Sequence, residues 1–256
     1  MSLQAVVQTS GGLGSWAAAK RAVATFGKDN VTQLFADVKM EDEDLYRFLE
    51  ESTADVGARL VTVTDGRNPW EVFKDVRFIG NSRIDPCSKI LKRELLRKWI
   101  DENCDPADTY IVLGIDWTEI HRFDKAYPRW KPFELWAPLC EESTSKDDIA
   151  KELAEAGILP PRLYAMGFPH NNCGGFCVKA GQSQFKLLYE QLPERYAWHE
   201  QQERETQEII GKPVTIMRDR RGGTSKPLSM EAFRLRLEAK ESVPTDEWGG
   251  CGCALD

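Results

Sequence analysis

The chain has 256 residues, of which 41% are hydrophobic and 29% charged, and a formal net charge of -7. Nineteen glycines and thirteen prolines are too few for a collagen-like or low-complexity chain, and the composition excludes global disorder. No apolar run approaches the roughly 20 residues that cross a bilayer, and the start, MSLQAVVQTS, lacks the basic and apolar regions of a signal peptide. Seven cysteines in such a chain argue for thiol or metal chemistry rather than a disulfide scaffold, so the expectation is a cytoplasmic protein with no membrane partner.

In chain order, Leu3 to Thr9 predicts a short strand, and Trp16, Ala19, Val23 and Phe26 recur at helical spacing from Ser15 onward. The pattern repeats with strands at Val31 to Phe35 and Leu60 to Thr64 around a helix from Asp42 to Val56, whose acidic start, Glu41 to Asp44, reads as a solvated first turn. Pro69 suits the first turn of a further helix, Ser88 to Asn103 predicts one long amphipathic helix, and Tyr110 to Ile115 a buried strand. Strands alternating with helices imply an α/β fold with a doubly wound, mainly parallel sheet, whose ligands bind beyond the carboxyl ends of the strands.

Past Trp117 the aromatic, proline-rich stretch YPRWKPFELWAPL reads as elaboration over a sheet edge. A helix follows, opened by Ser145 with Asp148 three residues on. Residues 181–211 predict two helices broken at Pro193, Val214 to Arg218 a short strand before the Gly222-Gly223 turn, and Ser229 the cap of a last helix. The end, ESVPTDEWGGCGCALD, has no periodicity and is expected to be mobile.

The most informative loop is Ser10-Gly11-Gly12-Leu13-Gly14-Ser15, between the first strand and the first helix. Glycines there let backbone N–H groups approach a phosphate, the helix dipole favours the anion, and Ser10 and Ser15 add hydroxyl donors. A Gly-rich turn with no ligand is the plainer alternative. The loop is neither a Walker loop, since no Gly-Lys-Ser/Thr follows, nor the dinucleotide fingerprint.

This SGGLGS loop resembles the pyrophosphate-binding PP-loop (SGGxDS) of the adenine nucleotide α-hydrolase superfamily, with Gly14 at the acidic position. Further segments are similar to the phosphoadenosine-phosphosulfate (PAPS) reductase branch: LFADV ending in Asp37, DPCSKILKREL with Cys87 and Lys92, and VLGIDWTEIHR with Gly114, Glu119 and Arg122. LCEESTSKDDIAKELAEAGILPPRLYAMGFPHNNCGGFC completes the series, which spans roughly residues 3–180 in order. The resemblance implies a PP-loop (HUP-like) nucleotide-binding domain over residues 1–180 carrying the cysteine pair, and a helical extension with a mobile cysteine tail over 181–256. It also implies an adenine nucleotide, either ATP or a sulfonucleotide (adenylyl sulfate or PAPS), held by Ser10 to Ser15, Asp37, Gly114 and Glu119. Magnesium is the cation implied where ATP is cleaved.

Cys173 and Cys177 bracket Gly174-Gly175-Phe176, glycines that allow a tight turn bringing two sulfurs together. In the resembled family a 4Fe-4S cluster is held by a tandem pair matching Cys87 and by a downstream pair. Here Ser88 stands beside Cys87, and Cys140 is the expected fourth ligand; zinc and a metal-free reduced pair remain open. Cys104 reads as a structural thiol. Cys251 and Cys253 match in location the family's tail nucleophile, a thiolate on an arm that attacks nucleotide-bound sulfur, with Arg122 and Lys92 neutralising the oxyanion. His121 and His170 are candidates to line the site or bind metal, although histidines, His199 among them, are more often polar surface residues.

Two cationic clusters stand out against the acidic total: six Lys/Arg against two carboxylates over 83–98, and five against one over 212–226. They motivate a second expectation, ATP-dependent adenylation and thiolation of a tRNA or DNA with a sulfur donor, beside the first, sulfonucleotide reduction with a thiol reductant. A third is a nucleotide sensor without catalysis, prompted by Gly14 and the cysteine spacing.

Overall fold

The computed structural model describes residues 2–243 and 248–249. Its centre is a sheet of five parallel strands: β1 (Gln4–Thr9), β2 (Val31–Ala36), β3 (Arg59–Val63), β4 (Thr109–Val112) and β5 (Glu134–Trp136), in the order β3-β2-β1-β4-β5. The middle strand reads QAVVQT and is buried along almost its whole length, as a strand covered by helices on both faces must be.

Helices α1 (Leu13–Phe26), α2 (Glu43–Val56) and α3 (Pro69–Val76) follow the first three strands. Between β3 and β4 the chain runs through α4 (Pro86–Ser88), a π-helical stretch (Lys89–Glu94) and α5 (Leu95–Asn103), and beyond β4 come α6 (His121–Trp130), α7 (Pro138–Glu141), α8 (Lys146–Glu155) and α9 (Arg162–Ala165). Trp16, Ala18, Ala22, Phe48, Leu139 and Ile149 cover one face of the sheet; Leu96, Ile100, Ala126 and Trp130 cover the other. The sheet is therefore doubly wound, as the alternation of strand and helix patterns implies.

Two expectations shift. The stretch YPRWKPFELWAPL contributes a fifth strand, with Tyr110 paired to Glu134 and Val112 to Trp136; three residues between prolines are too few for a period-2 signal. The helix expected over 88–103 is interrupted by wider turns at Lys89–Glu94, which periodicity cannot distinguish from regular helix. Elsewhere the caps are as expected: Ser145 and Asp148 form a capping box, and Ser229 accepts from the N–H of Ala232 at the start of α12 (Met230–Glu238).

The chain closes with α10 (Gln182–Gln191) and α11 (Pro193–Ile210), broken at Pro193, and a small antiparallel ribbon, β6 (Met217–Asp219) with β7 (Lys226–Leu228). Their core is shared with the sheet side: Trp70, Phe73, Leu91 and Phe176 pack with Phe185, Tyr196, Met217 and Phe233. His199 lies inside this core, 0% exposed, stacked on Phe176 at 3.9 Å and accepting from the indole N–H of Trp70 at 2.9 Å. The surface reading of this histidine is corrected: burial holds it neutral, well below the usual imidazole range.

Glu203, also buried, accepts from the backbone N–H groups of Met230 (2.6 Å) and Ile216 (3.3 Å), with Glu200 nearby engaged by Arg234. Burial pushes its carboxyl up to about 7 from an ordinary 4.5. Between those values the folded chain holds a proton that the unfolded chain has released, so stability falls as pH rises through this window, by on the order of 3 kcal/mol in all. His199 acts oppositely: the unfolded imidazole gains a proton below about 6.5, so its contribution falls on acidification. A Glu203→Gln variant is expected to lose the decline between pH 5 and 7 and keep the acid-side decline. Denaturant unfolding at pH 5, 6, 7 and 8 checks this, and equal pH dependence of the two proteins would contradict it.

Candidate functional site

Strand order reverses direction between β1 and β4, the position where an open α/β sheet leaves a crevice at its carboxyl edge. A cleft of about 310 Å³ lies there. Ser10 and Ser15 line it from the glycine loop, Gly114, Glu119 and Arg122 from the chain after β4, Lys92 from the π-helical stretch, Lys146 from α8, and Pro169, His170 and Asn172 from the segment after α9.

The loop geometry shows why these glycines stand where they do. Gly11 has φ +72, and a Cβ there would lie 2.7 Å from the Leu45 side chain. A Cβ on Gly14 would lie 2.5 Å from the carbonyl oxygen of Gly114, and one on Gly114 would lie 2.6 Å from the backbone of Gly14 and Ser15. The start of α1 and the end of β4 thus meet backbone to backbone. An aspartate at position 14, as in the SGGxDS pattern, would not fit this approach.

Four α-helices among the described residues have side-chain caps: α2 by Asp42, α3 by Asn68, α8 by Ser145 and α12 by Ser229. Helix α1 has none at Gly12 and no acid in its first turn. Ser15 Oγ instead donates to the Gly12 carbonyl (2.8 Å) and accepts from the N–H of Ser10 (3.3 Å), which shapes the loop around a helix end that carries positive potential. The Asn171 amide donates to the Gly11 carbonyl at 2.9 Å and clamps the loop from the opposite side.

Arg122 is ion-paired with Glu119 at 2.9 Å on the cleft wall. Lys92 reaches Glu41 at 3.4 Å, and the Glu41 side chain is fully buried while also accepting from the N–H of Cys173. Burial pushes the Glu41 carboxyl up, and the Lys92 charge and the Cys173 N–H pull it back only in part. The solvated reading of Glu41 to Asp44 is therefore corrected at its first two residues. Asp42, also buried, caps α2 through the Asp44 N–H (3.0 Å) and pairs with Arg162 at 2.9 Å.

Asp37, expected among the nucleotide ligands, is not among the residues lining the cleft: it accepts from Lys39 and from the Tyr46 hydroxyl, all at 2.9 Å. Burial raises its carboxyl, but those bonds outweigh it and hold the group below the usual range. Of the expected loop residues only Ser10 and Ser15 face the cleft; Gly11 to Gly14 form the turn behind them. His170 lines the cleft, whereas His121 is exposed.

The cysteines divide. Cys87, Cys173 and Cys177 line one small apolar cavity of about 20 Å³, walled by Val38, Met40, Leu91 and Phe176. Lys92 lines both this cavity and the cleft. Cys173 and Gly174 take positive φ (53 and 58), and a Cβ on Gly174 would collide with the Arg195 guanidinium, which donates to the Met40 carbonyl. Cys140 is elsewhere: its thiol lies 3.3 Å from the Ile115 carbonyl, and burial pushes it up into its protonated form. Cys104 is likewise held protonated by burial. Among the described residues no three Cys, His, Asp or Glu side chains are grouped so as to hold a metal ion, so a four-ligand iron or zinc site is not complete on these residues alone. Cys251 and Cys253 lie outside the described residues.

Two features of this site had no counterpart in the sequence reading. Gly249 lines the cleft, because the chain returns there: the Gly181 N–H donates to the Trp248 carbonyl at 3.0 Å and Gly249 pairs with Ala180. Gln8, 7% exposed near the end of β1, lines the cleft with neither amide atom hydrogen-bonded. A glutamine inside an otherwise apolar central strand was the available signal for the second; nothing in the sequence marks the first.

No helix among the described residues is long and apolar enough to cross a membrane. No protein-family model matches the chain, and no curated protein matches it in sequence. Among solved structures the chain is similar to a phosphoadenylyl-sulfate (PAPS) reductase from Candida auris in its phosphate complex, at 13% identity and a TM-score of 0.44, over 65% of this chain and 80% of that one.

Proposed function

We propose that the chain is an enzyme that binds an adenine nucleotide with a phosphate at the start of α1 and carries out sulfur chemistry on it with cysteine thiols. The observation that carries this reading is the α1 N-terminus, without side-chain cap or acid, opening at the switch point of the sheet into a cleft that, among the described residues, Lys92, Arg122 and Lys146 line against a single carboxylate, Glu119. The resemblance of the loop, the Cys87–Lys92 segment and the Gly114–Arg122 turn to the PAPS reductase branch supports the same chemistry.

The cysteines divide the work. Gly249 lines the cleft, and Cys251 and Cys253 follow it by two and four positions in the sequence. On a sulfonucleotide, a Cys251 thiolate attacks the sulfur; the S–O bond to the phosphate breaks, the nucleotide leaves with the electron pair, and an S-sulfocysteine remains. A second thiol, from Cys253 or a dithiol reductant, attacks the cysteine sulfur, releasing sulfite and leaving a disulfide that the reductant then reduces. Lys92 and Arg122 offset the charge that grows on the leaving phosphate oxygen.

A second reading has its own observation. Arg83, Arg218 and Arg220 line a cavity of about 400 Å³ that no carboxylate among the described residues lines, joining the two cationic clusters of the sequence. This favours ATP-dependent adenylation of a nucleic acid followed by thiolation.

Incubation of the reduced protein with PAPS and with adenylyl sulfate, in the presence of a dithiol, is expected to release sulfite, and Cys251→Ser is expected to abolish release. ATP turnover to pyrophosphate that requires tRNA or DNA, without sulfite, would replace the first reading by the second. Nucleotide binding with no product under either condition would leave a sensor. Iron, sulfide and zinc analysis of protein purified without oxygen reports whether the Cys87, Cys173 and Cys177 cavity takes a metal with a thiol from the tail.

A further inference from the structure

Gln8 is a polar side chain 93% removed from solvent, whose amide nitrogen and oxygen both lack a hydrogen-bond partner among the described residues. Leaving such a group unpaired costs roughly 1–3 kcal/mol in a folded chain, so orphaned amides of this kind are uncommon without a function. It stands on the same face of β1 as Val6, two residues before it, and Ala36, Leu96 and Leu113, from the core on that face, also line the cleft. Along the strand it lies about 7 Å from Ser10, where the phosphate end of the cleft begins. The cleft thus combines cations and hydroxyls with apolar side chains and one bifunctional amide.

We infer that Gln8 is a specificity-determining residue that reads the hydrogen-bonding edge of the nucleobase. An amide offers a donor beside an acceptor, which matches a ring edge presenting an acceptor nitrogen beside an exocyclic amine, as adenine does at N6 with N1 or N7. The aliphatic side chains of Ala36, Leu96 and Leu113 take the ring faces, and the amide fixes which edge points inward. This assignment rests on the nucleotide reading above and adds to it the residue that selects the base.

The test is calorimetric titration with AMP, the part shared by every candidate nucleotide, and with purine riboside 5′-monophosphate, which lacks only the 6-amino group. The wild-type protein is expected to bind AMP about tenfold more tightly, and Gln8→Met to lose that preference while binding the purine riboside nucleotide nearly unchanged. Equal affinities for the two ligands in the wild-type protein would overturn the assignment without any variant. A Gln8→Met protein that keeps the preference, or weakens both ligands alike, would also overturn it. Binding of neither mononucleotide at millimolar concentration would instead remove the nucleotide reading, and this assignment with it.

Discussion

Gly14→Ala is expected to destabilise the protein by about 1–3 kcal/mol or more and to lower its affinity for an adenine nucleotide at least tenfold. The Cβ it adds would lie 2.5 Å from the Gly114 carbonyl oxygen, a backbone atom that cannot rotate away, so the start of α1 must shift relative to the end of β4. That shift moves the N–H groups proposed to bind phosphate. Gly114→Ala is expected to act alike from the other side, since its Cβ would lie 2.6 Å from Gly14 and Ser15. Gly12→Ala is the control for stability: its backbone is extended and its Cβ would meet the Tyr164 and Ser10 hydroxyls at 3.4 and 3.5 Å, ordinary contact distances to side-chain ends. Denaturant unfolding and nucleotide titration of the three variants check the set; a Gly14→Ala protein as stable as Gly12→Ala would show that the two backbones do not meet this closely.

The second large effect concerns the charge between the two cavities. Lys92→Met removes the cation at 3.4 Å from Glu41 and leaves a fully buried carboxylate supported by the Cys173 N–H, a loss of on the order of 3–5 kcal/mol. Adding Glu41→Gln removes the stranded charge, so the double variant is expected to be more stable than Lys92→Met alone. Additive losses in the cycle would mean that the pair is not coupled. Because the Glu41 carboxyl is already raised by burial, Lys92→Met is also expected to raise it further and make the variant's stability fall as pH rises above the ordinary carboxylate range.

The sheet was legible because burial on both faces forces β-rich, largely apolar strands such as Val31 to Phe35 and Tyr110 to Val112, each followed by helical periodicity. The fifth strand, Glu134–Trp136, escaped because three residues carry no period. The glycine loop announced a backbone that must approach something closely, but the sequence could not say that Gly14 answers to Gly114, a contact exactly one hundred positions away in the chain and made only by the pairing of β1 with β4.

Charge was the least legible property. Glu41 and Asp42 look like an ordinary acidic helix start, and only the arrival of Lys92, Cys173 and Arg162 from distant segments makes them buried. Asp37 went the other way, since two local donors, Lys39 and Tyr46, claim the carboxylate expected at the ligand. Cys87, Cys173 and Cys177 line one cavity, whereas Cys140, chosen by its place ahead of α8, sits against the carbonyls of residues 115 and 116.

A crystal structure of the protein with a bound adenine nucleotide is the most direct measurement of the central claim. The account predicts a phosphate within about 3 Å of the backbone nitrogens at the start of α1, flanked by Ser10 and Ser15, with the base toward Gln8. A nucleotide seated elsewhere on the molecule, or its phosphate turned away from that helix end, would contradict it.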